Sequence, residues 1–272
     1  MRHFEGKVVL ITGASSGIGA ALGREFAAQR ATVALAARRA DRLRTLADAI
    51  TEAGGKAVPV PCDVTRDGDL ERTVASIVEE FGHLDVAVAN AGFGVVGAFA
   101  ALAMEDYRRQ FETNVFGLLR TSYAAVPELK RSRGVLVLLG SVTGYVAAPG
   151  ASPYAMSKFA VRAFAESARP ELAKDGVAVV LITPGFVDSE IRRVDNRGRF
   201  HADAPEPIPA WLRMPTQQAA RRIVRAVARR RAEKVITVHA GLAVFLARHF
   251  PGLVRRVLRR GRPYRTAPDS DR

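Results

Sequence analysis

Cysteine is almost absent from this sequence: one residue, Cys62, stands in a chain of 272. A single thiol cannot close an intrachain disulfide, so a disulfide-stapled scaffold is excluded and a reducing, cytoplasmic setting is expected. Cys62 follows an apolar run and reads as a small buried residue rather than a nucleophile. The Cys and His residues nowhere fall at metal-ligand spacing, so no metal site is expected. No apolar run approaches the roughly 18 residues needed to span a bilayer. Neither internal repeats nor a low-complexity linker divides the chain, whose length suits one α/β domain with a sizeable core. Aromatic residues make up 7% of the sequence and do not accompany its arginines. The stacking platforms that hold nucleic acid are therefore missing.

Acidic residues are scarce in one part only. Residues 1–190 hold 21 Lys+Arg and 21 Asp+Glu, whereas residues 191–272 hold 20 and 6. The whole net charge of +14 lies in the last third. A neutral domain over residues 1–240 with a basic extension over 241–272 is the expected layout.

What is present begins with Lys7–Gly19, K-V-V-L-I-T-G-A-S-S-G-I-G. Val8–Ile11 is a short continuous apolar run, the mark of a strand buried on both faces. It lies so near the N-terminus that no signal peptide is expected before it. Gly13, Gly17 and Gly19 follow, and Ile18, Leu22 and Phe26 recur at helical spacing. A strand entering a helix through a glycine-rich turn sets bare backbone N–H groups at a helix N-terminus, which is an anion site. Glycine is needed where the backbone takes positive φ or comes within contact distance of a phosphate. The spacing is G-x-x-x-G-x-G and not the general G-x-G-x-x-G fingerprint. Taken alone, an ordinary tight turn fits it too.

Strand-like and helix-like runs then alternate. Strands are expected at Thr32–Ala37, Ala57–Val60, Leu84–Ala89, Val135–Leu139, Val177–Ile182 and Lys234–Val238. Helices are expected at Arg39–Ala53, Asp67–Phe81, Met104–Leu129 (a long region that Pro127 would shorten), Tyr154–Ala173 and Gln217–Arg231. This rhythm predicts a Rossmann-type, doubly wound parallel sheet in three α/β/α layers, with its ligand at the carboxyl ends of the strands.

Five short stretches carry a family likeness. They are T-G-A-S-S-G-I-G, the Asn90-Ala91-Gly92 triplet after the fourth strand, Ser141 after the fifth, Y-A-M-S-K from Tyr154 to Lys158, and Pro184-Gly185 after the sixth. Over roughly Lys7–Ser189 the chain resembles the short-chain dehydrogenase/reductase family in its single-domain form. The resemblance implies an NAD(P)-dependent oxidoreductase that interconverts a ketone or aldehyde with an alcohol. It also implies a homodimer or homotetramer. An acyl-linked ketone or a conjugated C=C bond is the alternative substrate class, and a cofactor-binding scaffold without turnover is the alternative from another class.

Site residues follow from the matching positions. Tyr154 and Lys158, four apart, share one helix face. An unperturbed phenol, with a pKa of about 10, is a poor base at neutral pH. A nearby ammonium favours phenolate. The resemblance makes Tyr154 the general acid/base and gives Ser141 the substrate oxygen. Lys158 would hold the cofactor ribose, and Asn114 a water linking Lys158 to solvent. The cofactor would rest on Gly13, Ser15, Ser16, Gly17, Ile18 and Gly19, with Asp63 and Val64 at the adenine and Asn90, Ala91 and Gly92 along the ribose. Pro184, Gly185, Val187 and Ser189 would meet the nicotinamide end; family members usually place Thr where this chain has Ser189.

The second strand ends in Ala37-Arg38-Arg39. An acid there would bind the 2′-hydroxyl of NAD, whereas guanidinium groups suit a 2′-phosphate. NADP(H) is therefore expected over NAD(H); a solvated pair of loop arginines is the plainer reading. Residues 190–215 should form a substrate lid, long enough to be functional when ordered. Beyond it, Leu253, Val254, Val257 and Leu258 alternate with Arg255, Arg256, Arg259 and Arg260. Such a basic amphipathic helix fits peripheral contact with an anionic membrane, or packing on its own domain or a partner subunit.

Overall fold

The computed structural model describes residues 3–259. Arg260 and the rest of the 241–272 extension beyond it lie outside the described residues. Every residue of the first strand, β1 (Val8–Thr12), is buried, as a continuous apolar run demands. The other strands are β2 (Thr32–Ala37), β3 (Lys56–Pro61), β4 (Val86–Ala89), β5 (Val135–Leu139), β6 (Ala178–Thr183) and β7 (Glu233–Val235). They form one sheet in the order β3-β2-β1-β4-β5-β6-β7. All pairings are parallel; Val9, for example, stands between Val33 of β2 and Val86 of β4.

Side chains alternate across the strands, so each face needs its own cover. Helices α1 (Gly17–Ala28), α2 (Ala40–Glu52) and a later helix at Thr216–Ala228 cover one face. There Leu22, Phe26, Leu43, Ile223 and Val224 pack with Val9, Ile11 and Leu35. Helix α3 (Asp69–Phe81) and helices at Gly117–Ser132 and Ser152–Ala173 cover the other. There Leu70, Ile77, Leu129 and Val161 pack with Leu10, Leu136 and Leu138. The result is the doubly wound, three-layer architecture expected from the sequence. The strand order reverses between β1 and β4, and a cleft opens there at the carboxyl ends.

Three local departures have physical causes. The region expected as one helix is α4 (Met104–Phe111), one turn of π-helix (Glu112–Phe116) and α5 (Gly117–Ser132). Pro127 does not shorten α5. Its missing N–H would have bonded the carbonyl of Tyr123, and Tyr123 is exposed, so the bond is lost where the helix borders solvent. After α6 (Ser152–Ala173) and α7 (Thr216–Ala228), β7 ends at Val235 instead of Val238. Thr237 ends it: its Oγ1 accepts the N–H of Ala240 at 3.4 Å and starts α8 (Val238–His249).

A boundary between residues 240 and 241 falls inside α8, because this helix is fastened to the domain. Ala240 and Val244 are buried. Arg248 donates to Glu233 at 2.8 Å, and the Tyr145 hydroxyl donates to the same carboxylate at 2.6 Å. The guanidinium of Arg162 stacks 4.1 Å from the Tyr145 ring centroid. Burial and then the Glu233 carboxylate push the Tyr145 phenol up to about 12. Helix α9 (Pro251–Leu258) follows with no buried residue. Among the described residues no helix is long and apolar enough to cross a membrane.

Candidate active site

A turn is left open at the end of β1. Ser16 is the N-cap of α1, yet its side chain makes no capping bond, so the first N–H groups of α1 keep room for an anionic ligand. The turn is tight enough to dictate glycine. A Cβ at Gly13, where φ is +66°, would lie 2.7 Å from Ala91 Cα, and one at Gly19 would lie 2.4 Å from the Gly13 carbonyl. Asn90 fixes that approach. Its amide donates to Thr12 O at 2.9 Å and Gly13 O at 3.2 Å, while its own N–H donates to Thr12 Oγ1 at 3.1 Å. Sequence alone assigns Thr12 no role, since one hydroxyl at a strand end carries no signal of its own.

The cleft in front of this turn has a volume of about 1290 Å³. Every expected cofactor-binding residue lines it: the Gly13–Gly19 set, Arg38, Arg39, Asp63, Val64, Asn90, Ala91, Gly92, Pro184, Gly185, Val187 and Ser189. Ser141, Tyr154 and Lys158 line it too. Asp63 also forms a local turn, accepting from Thr65 N at 3.0 Å and Thr65 Oγ1 at 2.8 Å.

Lys158, only 6% exposed, donates from Nζ to the Leu139 carbonyl at the end of β5, 2.7 Å away. That ammonium lies 5.8 Å from the centroid of the Tyr154 ring. Burial lowers the Lys158 ammonium from its ordinary 10.5 to about 8. Ser141 caps the next turn, its Oγ accepting from Thr143 N at 3.1 Å and lying 3.0 Å from Thr143 Oγ1. Gly94 faces the Tyr154 ring, so that a Cβ there would stand 3.7 Å from it.

Asn114 sits behind the cleft. Located in the π-helical turn and buried, it donates to Phe93 O at 3.0 Å and Ser157 Oγ at 3.2 Å, and accepts from Phe93 N at 3.1 Å. Both amide protons are thus used in joining the π turn to the β4 exit loop and to α6. Ser157 lies inside Y-A-M-S-K, yet the motif gives it no role. His239, which sequence reasoning also misses, lines the cleft from α8. Its Nε2 accepts the Phe186 N–H at 3.0 Å and burial lowers its pKa, which suits the neutral form that acceptance requires. Nothing in the sequence next to His239 marks it, because its neighbour Gly185 is brought there by the fold.

The segment expected as a substrate lid lines the cleft with Glu190, Ile191, Val194 and Phe200 among others. Glu190 holds it to α2, accepting from Arg42 at 2.9 Å and, more loosely, from Arg39 at 3.5 Å. Arg39 also donates to Ser15 Oγ at 3.0 Å and Ser16 Oγ at 2.9 Å. Arg38 meets no acidic partner among the described residues.

These features fit a nicotinamide dinucleotide: an open helix N-terminus, glycines that a Cβ would block, cations at the β2 end, and room for a ligand of that size. Comparison with known proteins agrees. The model of the family described as short chain dehydrogenase matches residues 7–199. The chain belongs to the short-chain dehydrogenase/reductase family. It is 41% identical to 11-beta-hydroxysteroid dehydrogenase 1A of Arabidopsis thaliana over 190 residues, covering 68% of this chain and 54% of the relative. A dehydrogenase/reductase SDR family protein 7-like of Anopheles gambiae is 33% identical over 91% of this chain and 80% of its own. The chain thus spans about half the length of the plant relative. Among solved structures, the alcohol dehydrogenase of the archaeon Thermococcus sibiricus complexed with 5-hydroxy-NADP superposes with a TM-score of 0.74 at 28% identity. That match covers 84% of this chain and 95% of that one.

Proposed function

We propose that this protein is an NADP(H)-dependent oxidoreductase that interconverts a ketone or aldehyde with the corresponding alcohol. The observation that carries the reading is the convergence of Ser141, Tyr154 and Lys158 with the open N-terminus of α1 in one cleft. Bound nicotinamide supplies or accepts the hydride. Tyr154 passes a proton to or from the substrate oxygen, and Ser141 Oγ donates a hydrogen bond to that oxygen. Lys158 favours the phenolate by its charge and holds the ribose hydroxyls with the donors that Leu139 leaves over. Asn114 is a positioning residue, setting the β4 exit loop and α6 relative to each other. The cleft wall is largely apolar, with Phe93, Val96, Val142, Val146, Phe186 and Phe200, which favours a bulky apolar carbonyl or alcohol. Following NADPH absorbance over a panel that pairs such compounds with small polar ones tests this. Turnover confined to the small polar members would overturn the substrate class. A homo-oligomer is part of the proposal, supported by the exposed Phe116, Tyr123, Met156 and Phe159.

The choice of NADP(H) rests on Ala37, where an acid is lacking, and on Arg38 and Arg39 beside it. Arg38→Ala is expected to weaken NADPH about ten- to a hundred-fold and leave NADH nearly unchanged. This corresponds to a lost charge-assisted pair of about 1.5–3 kcal/mol. Arg39→Ala should weaken both nucleotides, NADPH more, because Ser15 and Ser16 lose their shared donor as well. Fluorescence titration with the two cofactors reads both effects; equal losses in Arg38→Ala would remove that residue from the phosphate site.

A further inference from the structure

The outer surface of α8 and α9 carries a run of exposed apolar side chains. At about 100° per residue, α8 has two opposite faces. Ala240 and Val244 form the buried one. Val238, Leu242 and Phe245 form the other, and they are 83%, 60% and 52% exposed. The fastening by Arg248, Glu233 and Tyr145 holds the inner face down, so packing on the domain accounts for half of the helix only. Phe250, Leu253 and Val257 continue the exposed apolar stripe along α9. The two stripes join where the rings of Phe245 and Phe250 approach to 6.2 Å between centroids.

Charge decides what such a surface suits. No Asp or Glu occurs between Glu233 and Asp269, a stretch that holds Lys234 and seven arginines. On α9, Arg255 and Arg259 fall on the side away from Leu253 and Val257, with Arg256 at its border. An apolar stripe backed by Arg255, Arg256 and Arg259, which meet no acid among the described residues, is the arrangement of a helix lying in a lipid interface. A protein partner of matching chemistry would have to supply several carboxylates beside an apolar ridge, whereas an anionic bilayer supplies both as a continuum.

We infer that the exposed stripe of α8 and α9 docks this protein on an anionic lipid surface. The same α8 contributes His239, Ala240 and Ala243 to the cleft, so docking sets the cleft beside the lipid. The inference does not depend on the reaction catalysed.

Co-sedimentation of the full chain with vesicles tests it, using phosphatidylcholine alone and phosphatidylcholine mixed with phosphatidylserine. Binding to the mixed vesicles at low salt is expected, falling as salt is added and nearly absent on phosphatidylcholine alone. Arg255→Gln/Arg256→Gln/Arg259→Gln should cost about a hundred-fold in affinity, from about five-fold for each basic residue at such a surface. Leu242→Asp/Phe245→Asp, and separately Leu253→Asp/Val257→Asp on the outlying helix, should each abolish binding while NADPH affinity stays intact. A full chain that ignores mixed vesicles at low salt would overturn the inference, as would equal binding to both vesicle types. Light scattering of the aspartate variants separates a second copy as occupant. A drop in mass with vesicle binding unchanged would assign the stripe to self-association and refute lipid docking. Binding that emerges only when residues 260–272 are removed would show the chain's own end to be the occupant, and would refute lipid docking of the full chain equally.

Discussion

Replacing Tyr154 by phenylalanine is expected to lower kcat by about 10²–10⁴-fold, the range that one positioned acid/base supplies. The substitution removes a single oxygen. The ring keeps its place against Gly94, and the open turn at α1 is untouched, so the affinity for NADPH should hardly move. The pairing of a collapsed kcat with an intact cofactor Kd distinguishes proton transfer from a structural role. Absorbance kinetics and a fluorescence titration on one preparation give both numbers. Turnover at the unmutated level would remove Tyr154 from the reaction.

Lys158→Met should act on three measurements together. Turnover falls because the phenolate loses its neighbouring cation, and the cofactor binds less tightly because the ribose loses a donor. The third effect is on stability, and its sign follows from burial. Burial disfavours the charged form and holds Lys158 near 8 in the folded chain against an ordinary 10.5. Below about pH 8 both folded and unfolded chains carry the proton and the penalty is at its full, constant value. Between about 8 and 10.5 the unfolded chain binds more protons, so the stability of the cofactor-free protein rises with pH through that window. The methionine variant lacks this group and should lack that rise. Thermal midpoints of the two proteins, compared from pH 7 upward, check it. Parallel curves would show that Lys158 does not titrate there.

The sequence is most informative where physics is local. Val8–Ile11 reads as a doubly covered strand from its own residues, and the glycines after it as a tight turn, which in the fold is one that a Cβ would obstruct at Ala91 and Gly13. Tyr154 and Lys158 are readable because a spacing of four places two side chains on one helix face. What escapes depends on other parts of the chain. His239 comes to the cleft from beyond β7, and only the fold brings it under Gly185. Thr12 acts through Asn90, 78 positions away. Pro127 misleads because its effect depends on whether Tyr123 faces water, which no helical pattern states. The end of β7 is hidden by a threonine that serves equally well inside a strand or as a cap.

The single turn of π-helix at Glu112–Phe116 makes chain length itself part of the specification. A π turn amounts to one residue inserted into an α-helix, and a regular helix advances about 100° with each residue. Removing Val115 would let α4 and α5 merge into one regular helix with their faces still in phase, because the extra residue of the π turn is absorbed as a wider turn and not as added rotation. What would be lost is the widened turn itself, from which Asn114 reaches Phe93 and Ser157. Substitutions at Val115 should be tolerated, since its side chain is only partly buried, while its deletion should not. Along this helix the chain accepts a change of letter at Val115 but needs its count there, because the extra residue makes the turn that seats Asn114.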